Sequence, residues 1–399
     1  MSETRRGLEN NMIYLDNSAT TALCEPAKSA MQKAVENYAN PSSLHNAGLA
    51  AHKILVDARE AVGISLGVKN PGREYGQIFF VSCGTEANNT AILGTVYAKK
   101  RRLSNRILST DSEHPSVENT LRRLESDGFE VVRISTRGGV LDFAAYEKAL
   151  EIPPCLVTMM LVNNETGAVY DVARAFAMAK AACRDTVTHC DAVQGYMKVK
   201  FTPMELGADL LTVSAHKIHG PKGTGALYVS APVLTGKKLL PLLCGGEQES
   251  GYRPGTENMV GIAGFGAAAT AARQNFSAAE QTMRALREKT IADLSALGVQ
   301  INQPEGRVAP HIVSATLPDI KSETMLHYLS SRGICVSSGS ACSSHARRVS
   351  PTLKAFGLTD HEADCTLRIS LCEYNTEEEI HRLCDAVKAG METLIRIKK

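Results

Sequence analysis

Apolar positions along this chain fall into two rhythms. Between about residues 25 and 230, short apolar runs alternate with stretches in which apolar residues recur every three or four positions. The short runs predict strands at 77–81, 106–110, 130–134, 156–162, 186–190, 210–213 and 225–229. The periodic stretches predict amphipathic helices at 26–37, 48–65, 87–101 and 116–127. Such alternation argues for an α/β domain in which helices cover a mostly parallel sheet. An Ala- and Gly-rich segment at 261–274 then flows into one long helical pattern ending near 297, and reads as a connector. Beyond about 308 the pattern is mixed, with strands at 312–317 and 367–371 and helices at 323–332 and 377–397. The expected division is a large domain over 12–262 and a smaller α+β domain over 263–399, with residues 1–20 packing on the smaller one.

Composition narrows the function classes. A length of 399 residues suits two or three domains with a large core. The net charge of +2 is too close to zero to suggest nucleic acid or an acidic membrane as partner. The run Lys99-Lys100-Arg101-Arg102 reads as a solvated helix end, where cations suit the helix dipole, better than as a binding patch. The eleven cysteines include no Cys-x-x-Cys pair. Cys183/Cys190, Cys335/Cys342 and Cys365/Cys372 do not have zinc-ligand spacing, so no metal is expected. The polar residues 1–11 carry no secretory apolar core, and no apolar stretch of about 18 residues follows. A reducing cytoplasm is the expected compartment.

The chemistry concentrates just after predicted strands, where cofactor sites of such sheets lie. Ser214-Ala215-His216-Lys217 follows the run 210–213, and Asp191-Ala192-Val193-Gln194 follows the run 186–190. A lysine flanked by Ser and His, with an upstream Asp, suits pyridoxal phosphate (PLP). The amine forms a Schiff base, the carboxylate holds a proton on the pyridine nitrogen, and hydroxyl and imidazole groups bind phosphate. Gly84-Thr85-Glu86 opens a helix and would attract a phosphate, though an ordinary helix cap explains it as well. His114 could stack on a flat cofactor or be a plain loop histidine. Asn164 could donate to a phenolic oxygen or serve as a turn residue. Asp191 could instead cap the next helix. Ser337-Ser338-Gly339-Ser340-Ala341-Cys342 sets one thiol among small polar residues, with His345, Arg347 and Arg348 nearby to favour the thiolate.

Together these motifs resemble the cysteine desulfurases of the nitrogen-fixation and iron–sulfur-assembly type, within the class V aminotransferase family. Further motifs carry the resemblance: Tyr14-Leu15-Asp16-Asn17-Ser18-Ala19-Thr20-Thr21, Asn40-Pro41-Ser42-Ser43, Val162-Asn163-Asn164-Glu165-Thr166-Gly167 and Arg253-Pro254-Gly255-Thr256-Glu257-Asn258. It implies the type I PLP-dependent transferase fold (aspartate aminotransferase-like), with a seven-stranded sheet. It implies conversion of L-cysteine to L-alanine, with sulfur passing to Cys342 as a persulfide for delivery to a sulfur-acceptor or scaffold protein, for iron–sulfur clusters or tRNA thiolation. By resemblance Lys217 is the Schiff-base lysine and His114 stacks on the ring and moves protons. Asp191 meets the pyridine nitrogen, and Gln194 and Asn164 the phenolic oxygen. Gly84, Thr85, Ser214 and His216 hold the phosphate. Thr256 reaches the neighbouring subunit's site in a homodimer, and Arg368, with Asn164, binds the substrate carboxylate. Departures from the family pattern are Cys83 in the phosphate turn, Cys244 and Glu247 in the glycine-rich run, and Cys372-Glu373-Tyr374 after Ser370-Leu371. A selenocysteine lyase, another class V PLP aminotransferase, and a partner protein without catalysis remain as competing readings.

Overall fold

The computed structural model describes residues 12–68, 76–98, 104–338 and 349–396. Its centre is a seven-stranded sheet in the spatial order Gln77–Val81, Gly225–Val229, Leu210–Ser214, Val187–Asp191, Leu156–Met160, Arg106–Thr110, Glu130–Ile134. Gly225–Val229 runs antiparallel to both neighbours, and the other strand pairs are parallel. It follows Leu210–Ser214 after a short connection, which suffices to reverse direction, whereas a parallel neighbour requires a long crossover. Side chains of successive strand residues leave on opposite faces. Ile78 and Phe80 accordingly join one apolar core with Val157, Leu211 and Val213. Phe79 and Val81 join another with Ile107, Leu156 and Leu210.

Helices Asn46–Ser65 and Met259–Gln274 cover the first face. They meet at Gly266, where a Cβ would lie 2.7 Å from the Ala58 Cα. Helices Gly84–Val96 and Pro115–Ser126 cover the second. A smaller antiparallel sheet, ordered Gln300–Ile301, Ile312–Thr316, Thr366–Ser370, Ser337–Ser338, shares a separate core with helices Phe276–Ala296, Ser322–Ser330 and Glu377–Thr393. Ile13 and Leu15 belong to that core.

Several elements differ from the sequence expectations. The long helical pattern from 261 to 297 is two helices, Met259–Gln274 and Phe276–Ala296, broken at Asn275, whose φ of −100° and ψ of 5° lie outside the helical region. The helix expected at 87–101 starts at Gly84 and its last helical residue is Val96, while Lys99 to Arg102 lie outside the described residues. The strand expected at 186–190 is Val187–Asp191, so Asp191 is itself a strand residue. Helices Phe143–Ala149 and Val172–Ala182 were not expected, although Asp142 and Asp171 cap them by accepting from Ala145 N–H (3.0 Å) and Arg174 N–H (3.2 Å).

Residues 13–24 join the two parts. Ile13–Tyr14 pairs with Ile334–Cys335, Ser370 N–H donates to Leu15 O (2.7 Å), and Asn17 Nδ2 donates to Ser370 O (2.9 Å). The chain then crosses to the larger part, where Thr21 N–H donates to His216 O (2.9 Å) and Cys24 N–H to His219 O (3.0 Å).

The helix crossing leaves no space at Gly266. Gly266→Val should cost about 1–3 kcal/mol by overpacking. The expected result is a lower urea midpoint with an unchanged denaturant slope.

Candidate active site

Five strands of the large sheet deliver the polar groups. Asp191 ends one central strand and Ser214 its neighbour, with Lys217 one turn beyond in the short helix Ala215–Lys217. Asn164 follows Leu156–Met160, and His114 follows Arg106–Thr110 as the N-cap of Pro115–Ser126. Gly84 and Thr85 begin the helix after Gln77–Val81. All line one cavity of about 460 Å³ with Gln194, His216 and, from the smaller part, Arg368 and Ser337. Thr256 lies outside it, exposed, and lines a recess of about 260 Å³ with Ser82 and Arg253. Cys342 lies outside the described residues, as do His345, Arg347 and Arg348.

The sequence reading missed several lining residues that form the polar scaffold. Asn88 Nδ2 donates to Asp191 Oδ2 (2.7 Å) and Ser116 Oγ (2.8 Å). Val193 N–H donates to Asp191 Oδ1 (3.0 Å). The buried Asp191 carboxylate thus closes a strand-end turn and does not cap a helix. Ser116 N–H donates to His114 Nδ1 (3.1 Å), and Ser116 Oγ lies 2.8 Å from the same nitrogen. With Nδ1 accepting, the neutral ring carries its proton on Nε2. Burial pushes the His114 pKa down and Lys217 adds to this, against the pull of Asp191.

The segment 16–20 lies across the cavity. Gln194 Nε2 donates to Ser18 O (2.9 Å). Lys217 Nζ donates to Ser18 O and to Ala19 O (2.9 Å). His216 Nδ1 faces Thr20 Oγ1 at 3.2 Å, and burial, reinforced by Lys217 and Lys222, pushes its pKa down to about 4. Asp16 Oδ1 accepts from Arg368 Nη2 (2.8 Å), and Asn164 O from Nη1 (3.1 Å). These contacts link residues far apart in sequence, and no local spacing signals them.

The crevice fits a flat, phosphorylated pyridine. Ser214 Oγ is buried with no hydrogen-bond partner among the described residues. It belongs at the start of helix Gly84–Val96, where a Cβ on Gly84 would lie 3.8 Å from the Ser214 Cβ and 3.0 Å from Val193 Cγ2. A helix N-terminus, Thr85 and an unpaired hydroxyl form an anion cradle. Asp191, amid donors, supplies the opposite charge for a protonated ring nitrogen.

Known proteins resemble this chain over nearly its whole length. The Aminotransferase class-V family profile matches residues 13–383. A cysteine desulfurase of Trichormus azollae is 37% identical over 96% of this chain and 94% of its own. The cysteine desulfurase NifS of Azotobacter vinelandii is 35% identical over 93% and 90% respectively. The solved structure of a NifS-like protein, 34% identical, superposes with a TM-score of 0.88 over 96% of this chain and all of that one.

Glu113, beside His114, is wholly buried. Its Oε1 accepts from Thr110 Oγ1 (2.6 Å) and Met160 N–H (2.9 Å), while Oε2 has no hydrogen-bond partner among the described residues. Burial, with Asp191 and Glu118 adding, pushes its pKa up to about 8 from the ordinary 4.5, against the two hydrogen bonds. The folded state therefore holds a proton that the unfolded chain releases, and stability falls as pH rises from about 4.5 to about 8. Glu113→Gln keeps the shape without the ionisation. In melts across this range it should match the parent near pH 5 and exceed it by a few kcal/mol near pH 8, since each tenfold difference in proton affinity is worth roughly 1.4 kcal/mol.

Proposed function

The chain belongs to the class-V aminotransferase family and is a cysteine desulfurase, and we propose that it converts L-cysteine to L-alanine with PLP in this crevice, leaving the sulfur on Cys342 as a persulfide. The observation that carries the reading is the cavity itself, which gathers Lys217, Asp191, His114 and Arg368 from both parts of the chain. Enzymes of this fold are in general PLP-dependent. When bound, the cofactor supplies an electron sink for bonds at the substrate α-carbon.

The protein's own groups do the rest. Thr85, Ser214, His216 and the N–H groups around Gly84 would hold the phosphate, His216 as a neutral ring. Asp191 would keep a proton on the pyridine nitrogen, its carboxylate oriented by Asn88 and Val193. Gln194 and Asn164 would face the phenolic oxygen. Lys217 would bind the cofactor covalently through Nζ and then move the α-proton. His114, held as the Nε2–H tautomer with its pKa pushed down by burial, would stack on the ring and offer a donor to the substrate side. Arg368 would bind the substrate carboxylate, for which Asp16 competes through its 2.8 Å contact.

Cys342 is the proposed sulfur acceptor. It follows Ser337, which lines the cavity, by five residues in the sequence. Cleavage of the substrate C–S bond moves its sulfur onto the Cys342 thiolate, and the carbon fragment leaves as alanine. The persulfide then passes to a sulfur-acceptor or scaffold protein. We place the reaction in the cytoplasm, whose reducing poise keeps such thiols free. A homodimer fits the exposed Thr256, free to reach a partner's site. Among the described residues, no helix is long and apolar enough to cross a membrane.

Purified protein given PLP, L-cysteine and a reductant should release sulfide and alanine in equal amounts. Cys342→Ala should lose both, and sulfide release indifferent to this change would move the nucleophile to another thiol. Borohydride reduction followed by mass spectrometry should find the cofactor attached to Lys217, and Lys217→Ala should abolish that adduct. His114→Ala should lower kcat about 10²–10⁴-fold.

A further inference from the structure

A second cluster of chemically active groups lies just behind the lysine turn. His219 Nε2, Cys372 Sγ and a Glu373 carboxylate oxygen all lie within 4.8 Å of one another. His219 and Cys372 are buried, at 4% and 6% exposure. His219 Nε2 and Glu373 Oε2 are 3.4 Å apart, and neither has a hydrogen-bond partner among the described residues. Two aimed, buried polar atoms left without hydrogen bonds require an explanation.

The tautomer supplies it. His219 Nδ1 lies 2.9 Å from Ala22 O, which can only accept, so Nδ1 carries a proton. In the neutral ring Nε2 then turns a lone pair toward a thiol and a carboxylate. Three groups that can each act as a lone-pair donor converge on one point, and a positive charge there would satisfy all three at once. A tetrahedral zinc ion holds N, O and S donors at about 2.0–2.3 Å and therefore sets donor pairs about 3.3–3.8 Å apart. The His219–Glu373 pair already meets that spacing, and the thiol needs at most roughly an ångström of movement.

The supporting shell is that of a metal site. The imidazole donates its far nitrogen to a backbone carbonyl, as ligating histidines do. His219 N–H donates to Thr21 Oγ1 (2.7 Å), and Cys372 N–H to Asn375 Oδ1 (2.8 Å). The Tyr374 ring closes edge-on over His219 at 5.0 Å. Glu373, partly exposed, is the side open to entry, and a water would complete the tetrahedron.

We propose that His219, Cys372 and Glu373 form a binding site for a divalent cation of the zinc class. The mixed N, S and O donor set suits zinc and cobalt better than magnesium or calcium. Thiolate and carboxylate balance the two positive charges, and the Cys372 thiol proton leaves to solvent on binding. The cation joins the lysine turn to the end of strand Thr366–Ser370, and so fastens the two parts of the chain together. The sequence reading expected no metal because it considered short ligand spacings, whereas this set is assembled by the fold. The proposal does not depend on the desulfurase mechanism.

A proton is the competing charge. Burial opposes an imidazolium, but Cys372 and Glu373 outweigh it and push His219 up to about 9. Lys198, buried on the Glu373 side, offsets part of the carboxylate charge.

The test uses the PLP-loaded full chain carrying Cys342→Ser, which removes the proposed sulfur-accepting thiol, stripped with a chelator and titrated with Co²⁺. The expected result is one cobalt ion per chain, with a thiolate-to-cobalt charge-transfer band and tetrahedral ligand-field bands in the red. Zn²⁺ should displace it and raise the melting temperature with concentration. Cys372→Ser should remove the charge-transfer band, and Glu373→Gln should weaken binding about tenfold or more. Glu373→Gln is isosteric and partly exposed, which keeps the test decisive if Cys372→Ser fails to fold. Absence of the charge-transfer band, or affinity unchanged in Glu373→Gln, overturns the proposal and leaves His219 paired with a proton.

Discussion

A carboxylate at the end of a central, wholly covered strand is the constraint around which the site is arranged. Burying Asp191 without partners is costly, so the fold must surround it with donors. Asn88 provides one and also holds Ser116, whose backbone and hydroxyl address the inner nitrogen of His114. One buried charge therefore fixes a helix from one crossover, the cap of the next, and the tautomer of the imidazole facing the cavity. The remaining donor, Val193 N–H, belongs to the turn that leads to Gln194. Among the described residues no cation bonds the Asp191 carboxylate, whose hydrogen-bond partners are Asn88 and Val193.

The second organising element is the segment 13–24. It begins as a strand edge of the smaller part, passes over the cavity and ends on the lysine turn. Its backbone carbonyls at Ser18 and Ala19 receive Lys217 and Gln194, and its Asp16 receives Arg368. The amine, amide and guanidinium that face the crevice are thus each held by the same few residues. Any ligand that draws Lys217 or Arg368 to itself must displace those contacts, which links binding in the cavity to the junction between the two parts.

Periodicity and strand ends carried much of the fold. The runs 77–81, 106–110, 130–134 and 225–229 are strands with those same limits, because alternating apolar residues face two cores and turn residues bound them. The break at Asn275 was hidden because the helical rhythm continues on both sides of it, and a single asparagine gives no strong stop. In the site, residues directly after strands could be read as a group, since the parallel topology collects strand ends. Asn88, Ser116, Ser18 and Asp16 could not. Their roles are set by partners brought near only by the crossovers, and a mid-helix asparagine looks like any other surface residue until Asp191 is placed beside it.

The turn after Ser214 joins these two kinds of information. Gly220 N–H donates to Ala215 O (3.0 Å), and a Cβ on Gly220 would lie 2.9 Å from that oxygen, so the chain from Ala215 to Gly220 is drawn into a tight loop. Lys217 faces the cavity from one side of the loop, while His219, at a left-handed φ of 65°, faces Cys372 and Glu373 from the other. A residue with a bulky ring adopts that backbone region only when its surroundings impose it. Thr21 and Ala22, which bond His219, are also the residues that follow the Lys217 contacts along the N-terminal segment. His219 is therefore connected to the lysine by two short routes, the loop itself and the segment laid across it. Cys372 and Glu373 sit where the lysine turn is anchored, outside the cavity that Lys217 lines, so this cluster and the crevice share one loop without sharing a side chain.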